Sequence, residues 1–272
     1  KYKIIMSHRI KKVFEKKGRK LVTFTTGGDP NLDTSLEILK IIINNDIDLI
    51  EIGMPFSDPM ADGPTIQESS VRSLANGTEI NDIFDLVMNI RKFNNEIPII
   101  LMGYYNSIFN LGINNFTKKC TETGVDGLII VDLQPEEDSE LYTKTKENNI
   151  DLIRLITPTT NQERLNTILS NASGFLYYVT ITGITGQHSA DVEHLQKSIK
   201  SIKSYTKLPV VAGFGIKNRK DVEQISTFTD GVVVGSSIVN IIKQNLNDKN
   251  KMMNEIDLFT KDLKEGVKEW IG

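Results

Sequence analysis

Eight short β-branched runs, each followed by an amphipathic stretch and with no compositional break between units, predict one (β/α)8, or TIM, barrel domain spanning residues 1–272. The rival architecture, a doubly wound open sheet, is disfavoured. The turn after the first run, Thr25-Thr26-Gly27-Gly28-Asp29-Pro30, lacks the glycine spacing of a dinucleotide-binding loop. The predicted strands are 21–25, 47–52, 97–102, 127–131, 151–156, 175–179, 209–212 and 231–234. Several are apolar throughout, as strands covered on both faces are. The intervening periodic stretches predict helices over 32–45, 65–93, 113–123, 135–148, 161–170, 191–205, 218–227 and 237–246. Pro135 suits a first helical turn, and Asp191 and Asn218 suit N-caps. One extra helix, 7–17, precedes the first strand and is stopped by Gly18. A second, 250–270, follows the last strand.

The 32 basic and 35 acidic side chains leave a net charge of −3, and neither sign forms a long block. No nucleic-acid footprint or basic membrane face follows from that balance. A single cysteine, Cys120, has no internal disulfide partner and is placed on a helix face, where packing is expected. No apolar run approaches the ~20 residues of a membrane-spanning helix, and no signal peptide is apparent before the first strand. A cytoplasmic protein is expected.

In a barrel the loops after the strands share one face, and chemistry belongs there. The second strand ends in Glu51, between Ile50 and Ile52. A loop with Pro55, Pro59 and Pro64 then carries Asp58 and Asp62 up to the next helix. Burying a carboxylate costs several kcal/mol unless it is paired or protonated, so Glu51 is either an acid/base group or the partner of an arginine in the mouth. Glycines recur at three late strand ends, in Gly183-Ile184-Thr185-Gly186, Gly213-Phe214-Gly215-Ile216 and Gly235-Ser236-Ser237. Turns need glycine anyway, but together these ends predict a phosphate held by backbone N–H groups and a helix N-terminus. No predicted strand carries a lysine for Schiff-base chemistry, and His188 and His194 do not form a metal-ligand pair, so no metal site is expected. Tyr104, Tyr105, Tyr177 and Tyr178 are placed near the mouth. Phe24, Met102, Ile129, Leu155 and Phe214 are either ordinary core or the lining of an aromatic-sized pocket. Cofactor-free acid/base chemistry on a phosphorylated, partly apolar substrate fits this inventory.

The segment from Glu51 to Gln67, with Phe24-Thr25-Thr26-Gly27-Gly28-Asp29-Pro30, Tyr104-Tyr105-Asn106, Thr182-Gly183-Ile184-Thr185-Gly186 and Gly213-Phe214-Gly215-Ile216, resembles the α subunit of tryptophan synthase. The resemblance implies retro-aldol cleavage of indole-3-glycerol phosphate to indole and glyceraldehyde 3-phosphate. It makes Glu51 the proton shuttle, Asp62 the acceptor of the indole N–H and Tyr177 an active-site tyrosine. Gly186, Gly215, Gly235 and Ser236 become phosphate-binding positions. Phe24, Ile66, Met102, Tyr104, Ile129, Leu155, Thr185 and Phe214 become substrate contacts, with the loop around Thr185 closing over them. The resemblance further implies an α2β2 assembly, in which Asp58 and Pro59 meet a β subunit that carries pyridoxal phosphate. No cofactor is implied in this chain. Ile181 and Gln134 depart from the family's usual arginine and proline. A sugar-phosphate isomerase or epimerase on the same fold, or a non-catalytic activator of the β subunit, remain the alternatives.

Overall fold

The apolar β-branched runs pair side by side and leave both faces to be covered. The computed structural model describes residues 7–179, 189–213 and 215–268. Within them lie β1 (Lys20–Thr26), β2 (Leu49–Gly53), β3 (Ile99–Gly103), β4 (Gly127–Ile130), β5 (Asp151–Leu152), β6 (Arg154–Ile156), β7 (Leu176–Val179), β8 (Val210–Gly213) and β9 (Gly231–Val234). They form one sheet in the order β5-β4-β3-β2-β1-β9-β8-β7-β6, with every pair parallel. Only Ile153 separates β5 from β6. Its N–H donates to Leu128 O at 2.9 Å on the β4 side, and Arg154 then pairs with Leu176 of β7. The run read as one strand, 151–156, thus changes partner at Ile153 and closes the barrel.

Alternation divides the side chains between two compartments. Leu49, Ile100, Ile129, Phe175 and Val211 fill the barrel interior, whereas Ile50, Ile99, Leu128, Leu176 and Val210 face the helices. The bottom is plugged by α1 (His8–Glu15), whose Ile10 and Val13 join the interior cluster and whose Phe14 ring lies 5.6 Å from that of Phe175. Ser7 caps this helix, accepting from Ile10 N at 3.3 Å, and its own N–H donates to Asp151 at the foot of β5.

The outer layer comprises α2 (Leu32–Asn44), α3 (Pro64–Ala75), α4 (Ile80–Phe93), α5 (Tyr105–Leu111), α6 (Ile113–Thr123), α7 (Ser139–Glu147), α8 (Gln162–Ser170), α9 (Ser189–Tyr205), α10 (Arg219–Ser226), α11 (Ser236–Gln244) and α12 (Lys249–Lys268). Asn218 caps α10 as predicted, accepting from Asp221 N at 3.2 Å. Three expectations are corrected, and one helix is added. The helix predicted over 65–93 is two, because Gly77 turns the chain at φ +78° and Glu79 N–H donates to Asp82 Oδ2 to start α4. The helix expected from Pro135 starts at Ser139, since Gln134–Glu137 closes a turn at 3.0 Å. Asp191 lies inside α9, which starts at Ser189. Finally, α5 was not anticipated; Asp132 Oδ1 accepts from Tyr105 N at its start.

Truncating the plug tests whether α1 belongs to the barrel core. Ile10 is wholly buried, so Ile10→Ala is expected to lower stability by about 2–5 kcal/mol, read from the urea midpoint at constant m-value.

Candidate active site

Strand β2 places Glu51 in register with Phe24 on one side and Ile100 on the other. Its neighbours Ile50 and Ile52 face the helices, so strict alternation turns the carboxyl inward. The side chain is 0 % exposed, and neither oxygen has a hydrogen-bond partner among the described residues. Burial alone pushes its pKa up from 4.5 to about 8. At neutral pH the group is therefore chiefly the neutral acid, with a proton to give. Of the two sequence readings, an arginine partner is not what the described residues provide. Tyr177 of β7 shares the interior. Its phenol is raised well above the usual tyrosine range by burial and then by the charge of Glu51.

Above Glu51 the loop after β2 folds over the mouth. Met54 N–H donates to Met102 O at 2.7 Å, and the Phe56 ring stacks on Tyr104 with centroids 5.1 Å apart. Tyr104 then fixes the end of the loop. Its hydroxyl accepts from Ala61 N at 2.9 Å and donates to Asp62 Oδ2 at 3.1 Å. Burial raises the Asp62 carboxyl above the usual carboxylate range, and the Tyr104 hydrogen bond partly offsets that rise. A cleft results, with Phe24, Met102 and Tyr104 on the barrel side and Asp62, Ile66 and Ser70 on the other.

Small residues make room at the rim. A Cβ on Gly53 would fall 2.7 Å from the Phe24 ring, and one on Gly235 would fall 3.1 Å from the Phe24 side chain. The ring of Phe24 thus fills space left by Gly53 at the end of β2 and by Gly235 just past β9. Gly213 likewise yields to Tyr177, whose hydroxyl would lie 2.5 Å from a Cβ there. Gly235 is the N-cap of α11, and Ser236 is exposed in its first turn. Ser237 instead spends its hydroxyl on Ile216 O at 2.8 Å. Gly215 adopts φ +62°, a conformation that glycine alone reaches easily.

Asp62, Phe24, Ile66, Met102 and Tyr104 therefore line one cleft at the mouth, and Glu51 and Tyr177 lie together in the barrel interior. Gly215, Gly235 and Ser236 lie at the ends of β8 and β9. Ile129 is buried deeper, with Leu49 and Ile100, and Leu155 lines a neighbouring recess with Arg154 and Val131. Asp58 is exposed and Pro59 half-buried on the loop crest. Thr185, Gly186, Phe214 and Ile181, and with them most of the glycine-bearing loop after β7, lie outside the described residues. Tyr178 is corrected: it packs between the sheet and the helices, as its adjacency to inward Tyr177 requires. Thr26, Ser70 and Val131 line the cleft without having been anticipated, although alternation along β1 marks Thr26 as inward. Among the described residues no group of three or more His, Cys, Asp or Glu is placed to hold a metal ion.

A closed parallel barrel with a desolvated acid under a carboxylate-bearing loop, and glycines at the last two strand ends, defines a barrel enzyme of acid/base chemistry. The family model of the tryptophan synthase alpha chain matches residues 10–268. The tryptophan synthase alpha chain of Petrotoga mobilis is 44% identical over 258 residues, 94% of this chain and 98% of that one. The alpha subunit of Legionella pneumophila tryptophan synthase superposes with a TM-score of 0.89 at 34% identity, covering 97% of this chain and 99% of that one. A Mycobacterium tuberculosis tryptophan synthase chain gives 0.86 at 26% identity, over 96% and 98%. This chain belongs to the tryptophan synthase alpha chain family.

The raised pKa of Glu51 has a stability signature. Between the unfolded value near 4.5 and the folded value of about 8, the native state binds the extra proton. Stability contributed by the neutral acid is thus present below 4.5 and is lost as pH rises through 8. Glu51→Gln, always neutral, is expected to lack this decline. Urea denaturation of both proteins from pH 5 to 9 would show their difference widening in favour of the variant as pH rises.

Proposed function

We propose that Glu51 and Asp62 carry the lyase reaction of this tryptophan synthase alpha chain, cleaving indole-3-glycerol phosphate to indole and glyceraldehyde 3-phosphate. The observation that bears most of the weight is Glu51, wholly buried, turned inward and without a charge partner among the described residues. As the neutral acid it delivers its proton to indole C3. The ring becomes an indoleninium, its positive charge shared with the ring nitrogen. Asp62 accepts the hydrogen bond of the indole N–H and balances that charge. The glycerol hydroxyl next to the ring gives its proton to the Glu51 carboxylate as the aldehyde forms. Electrons of the breaking C–C bond return to the ring and release indole. Glu51 ends protonated as it began, and the step needs no lysine, metal or cofactor from this chain.

In this reading Tyr177 packs beside Glu51 and keeps water from the carboxyl. Phe24, Ile66, Met102 and Tyr104 face the indole ring, with Ile129 beneath and Leu155 beside them, and Thr185 and Phe214, outside the described residues, are assigned as further substrate contacts. Gly186, Gly215, Gly235 and Ser236 take the phosphate, with α11 directing backbone N–H groups at it. Residues 1–272 act as one barrel domain.

The family implies a β-subunit partner, and the assembly proposed is α2β2, with indole passing to a β subunit that holds pyridoxal phosphate. Asp58 and Pro59 suit the contact: they crown the loop beside Met60, which is 83% exposed. A cytoplasmic setting agrees with one free, buried cysteine, Cys120, and no helix of the described residues is long and apolar enough to cross a membrane.

Glu51→Gln is expected to lower indole release at least ~100-fold, with glycerol 3-phosphate affinity little changed. Asp62→Asn should likewise lose turnover more than substrate affinity. Near wild-type turnover in the first variant removes Glu51 from the chemistry, and a defect of the second confined to KM makes Asp62 a recognition group. For the partner loop, Asp58→Ala should reduce stimulation by the β subunit more than the basal rate. Equal proportional losses would exclude coupling through Asp58.

A further inference from the structure

Helix α3 follows directly from the loop that carries Asp62, and it is docked in an unusual way. Its buried positions are Ser69, Ser70 and Ser73, while Val71 is 62% exposed. By contrast α2 buries Ile38, Leu39, Ile42 and Ile43, and α4 buries Ile83, Phe84, Leu86, Val87 and Ile90. No apolar side chain of α3 is fully buried, though Ile66 and Leu74 are half-buried, so non-directional hydrophobic burial contributes less to its placement than in α2 or α4. A polar seam ties it to the end of β1.

Four links make the seam. The Ser69 hydroxyl donates to Ile66 O at 2.7 Å, so the 2.6 Å bond between Thr26 Oγ1 and Ser69 Oγ has Thr26 as donor. Ser73 Oγ donates to Gly27 O at 2.7 Å, and Asn76 Nδ2 donates to Pro30 O at 2.7 Å. Between them Arg72 grips Asp29 with both ends of its fork, Nε to Oδ1 at 2.7 Å and Nη2 to Oδ2 at 2.8 Å. The Asp29 side chain is 0% exposed and that of Arg72 18%. A bidentate, desolvated pair fixes direction as well as distance. At the other end of the helix, Gln67 Nε2 donates to Asp62 O at 2.8 Å.

We propose that Arg72, locked to Asp29, is a positioning residue that sets the place of Asp62 over the buried acid by fixing α3 against the end of β1. The proposal rests on the reading of Asp62 given above, and it acts through the helix without contact between Arg72 and substrate. A displacement of about 1 Å at a catalytic group can lower a rate on the order of 100-fold.

Arg72→Lys tests it, because lysine keeps the charge and loses the fork. Assayed with the β partner, the variant should show kcat for indole release lowered by roughly 10- to 100-fold, with KM and glycerol 3-phosphate affinity within about twofold of wild type. In the cycle with Asp62→Asn, the double variant should be no slower than Asp62→Asn alone, since a group acting through Asp62 has nothing left to position. Hydrogen exchange at the Ala61 and Asp62 amides should quicken in Arg72→Lys, a readout that needs no turnover. Should Arg72→Lys not fold, Ser73→Ala removes one uncharged link and should shift the same readouts in the same direction. Multiplicative losses in the cycle, or an unchanged kcat in a folded variant, overturn the proposal. Unchanged exchange at those two amides overturns it even if the lyase reading itself fails. That reading is judged separately, by wild-type indole release and its loss in Glu51→Gln.

Discussion

The exclusion of water and counter-charge from Glu51 governs what surrounds it. A strand covered on both faces turns every second side chain into the barrel, and at position 51 that side chain is a carboxyl between the register partners Phe24 and Ile100. No described hydrogen bond compensates the burial, so the proton stays on the group at neutral pH. The same dryness raises the phenol of Tyr177. An arginine in the interior would restore ionisation. Arg154, which is buried, and Arg91, which is half-buried, are instead paired with Asp138 and Asp126.

What the sequence reveals depends on whether the signal is local. Eight alternations define the barrel because each strand and helix announces itself within a few residues. Glu51 stands out as a charge inside an apolar run, and the loop to Pro64 stands out by its prolines and acids. Some missed features were also local. Asn76-Gly77 marks the break between α3 and α4, and adjacent Tyr177 and Tyr178 must point to opposite faces. Other features were not legible at all. Arg72 and Asp29 are 43 positions apart, and neither has a neighbourhood that betrays the other. The change of partner at Ile153 is set by closure of the sheet, which no single strand encodes.

The contrast between α3 and its neighbours has a physical logic. Apolar faces tolerate small slides at little penalty, whereas short hydrogen bonds and a forked ion pair do not. A helix that follows the loop bearing Asp62 gains from the second kind of attachment. It surrenders apolar area in exchange: Ser69, Ser70 and Ser73 occupy the face that leucines and isoleucines hold in α2 and α4. Tyr104 completes the frame from β3, so Asp62 is held from two sides of the mouth.

Phe24, lodged over Gly53 and Gly235, makes the aperture of the barrel adjustable in one direction only. A smaller residue in place of the ring would open a hollow across three adjacent strands, while any side chain on either glycine would push against the ring from opposite flanks. The three positions therefore behave as a single steric unit. Chains of this family that admit bulkier rings would be expected to trade volume at position 24 first, leaving both glycines in place.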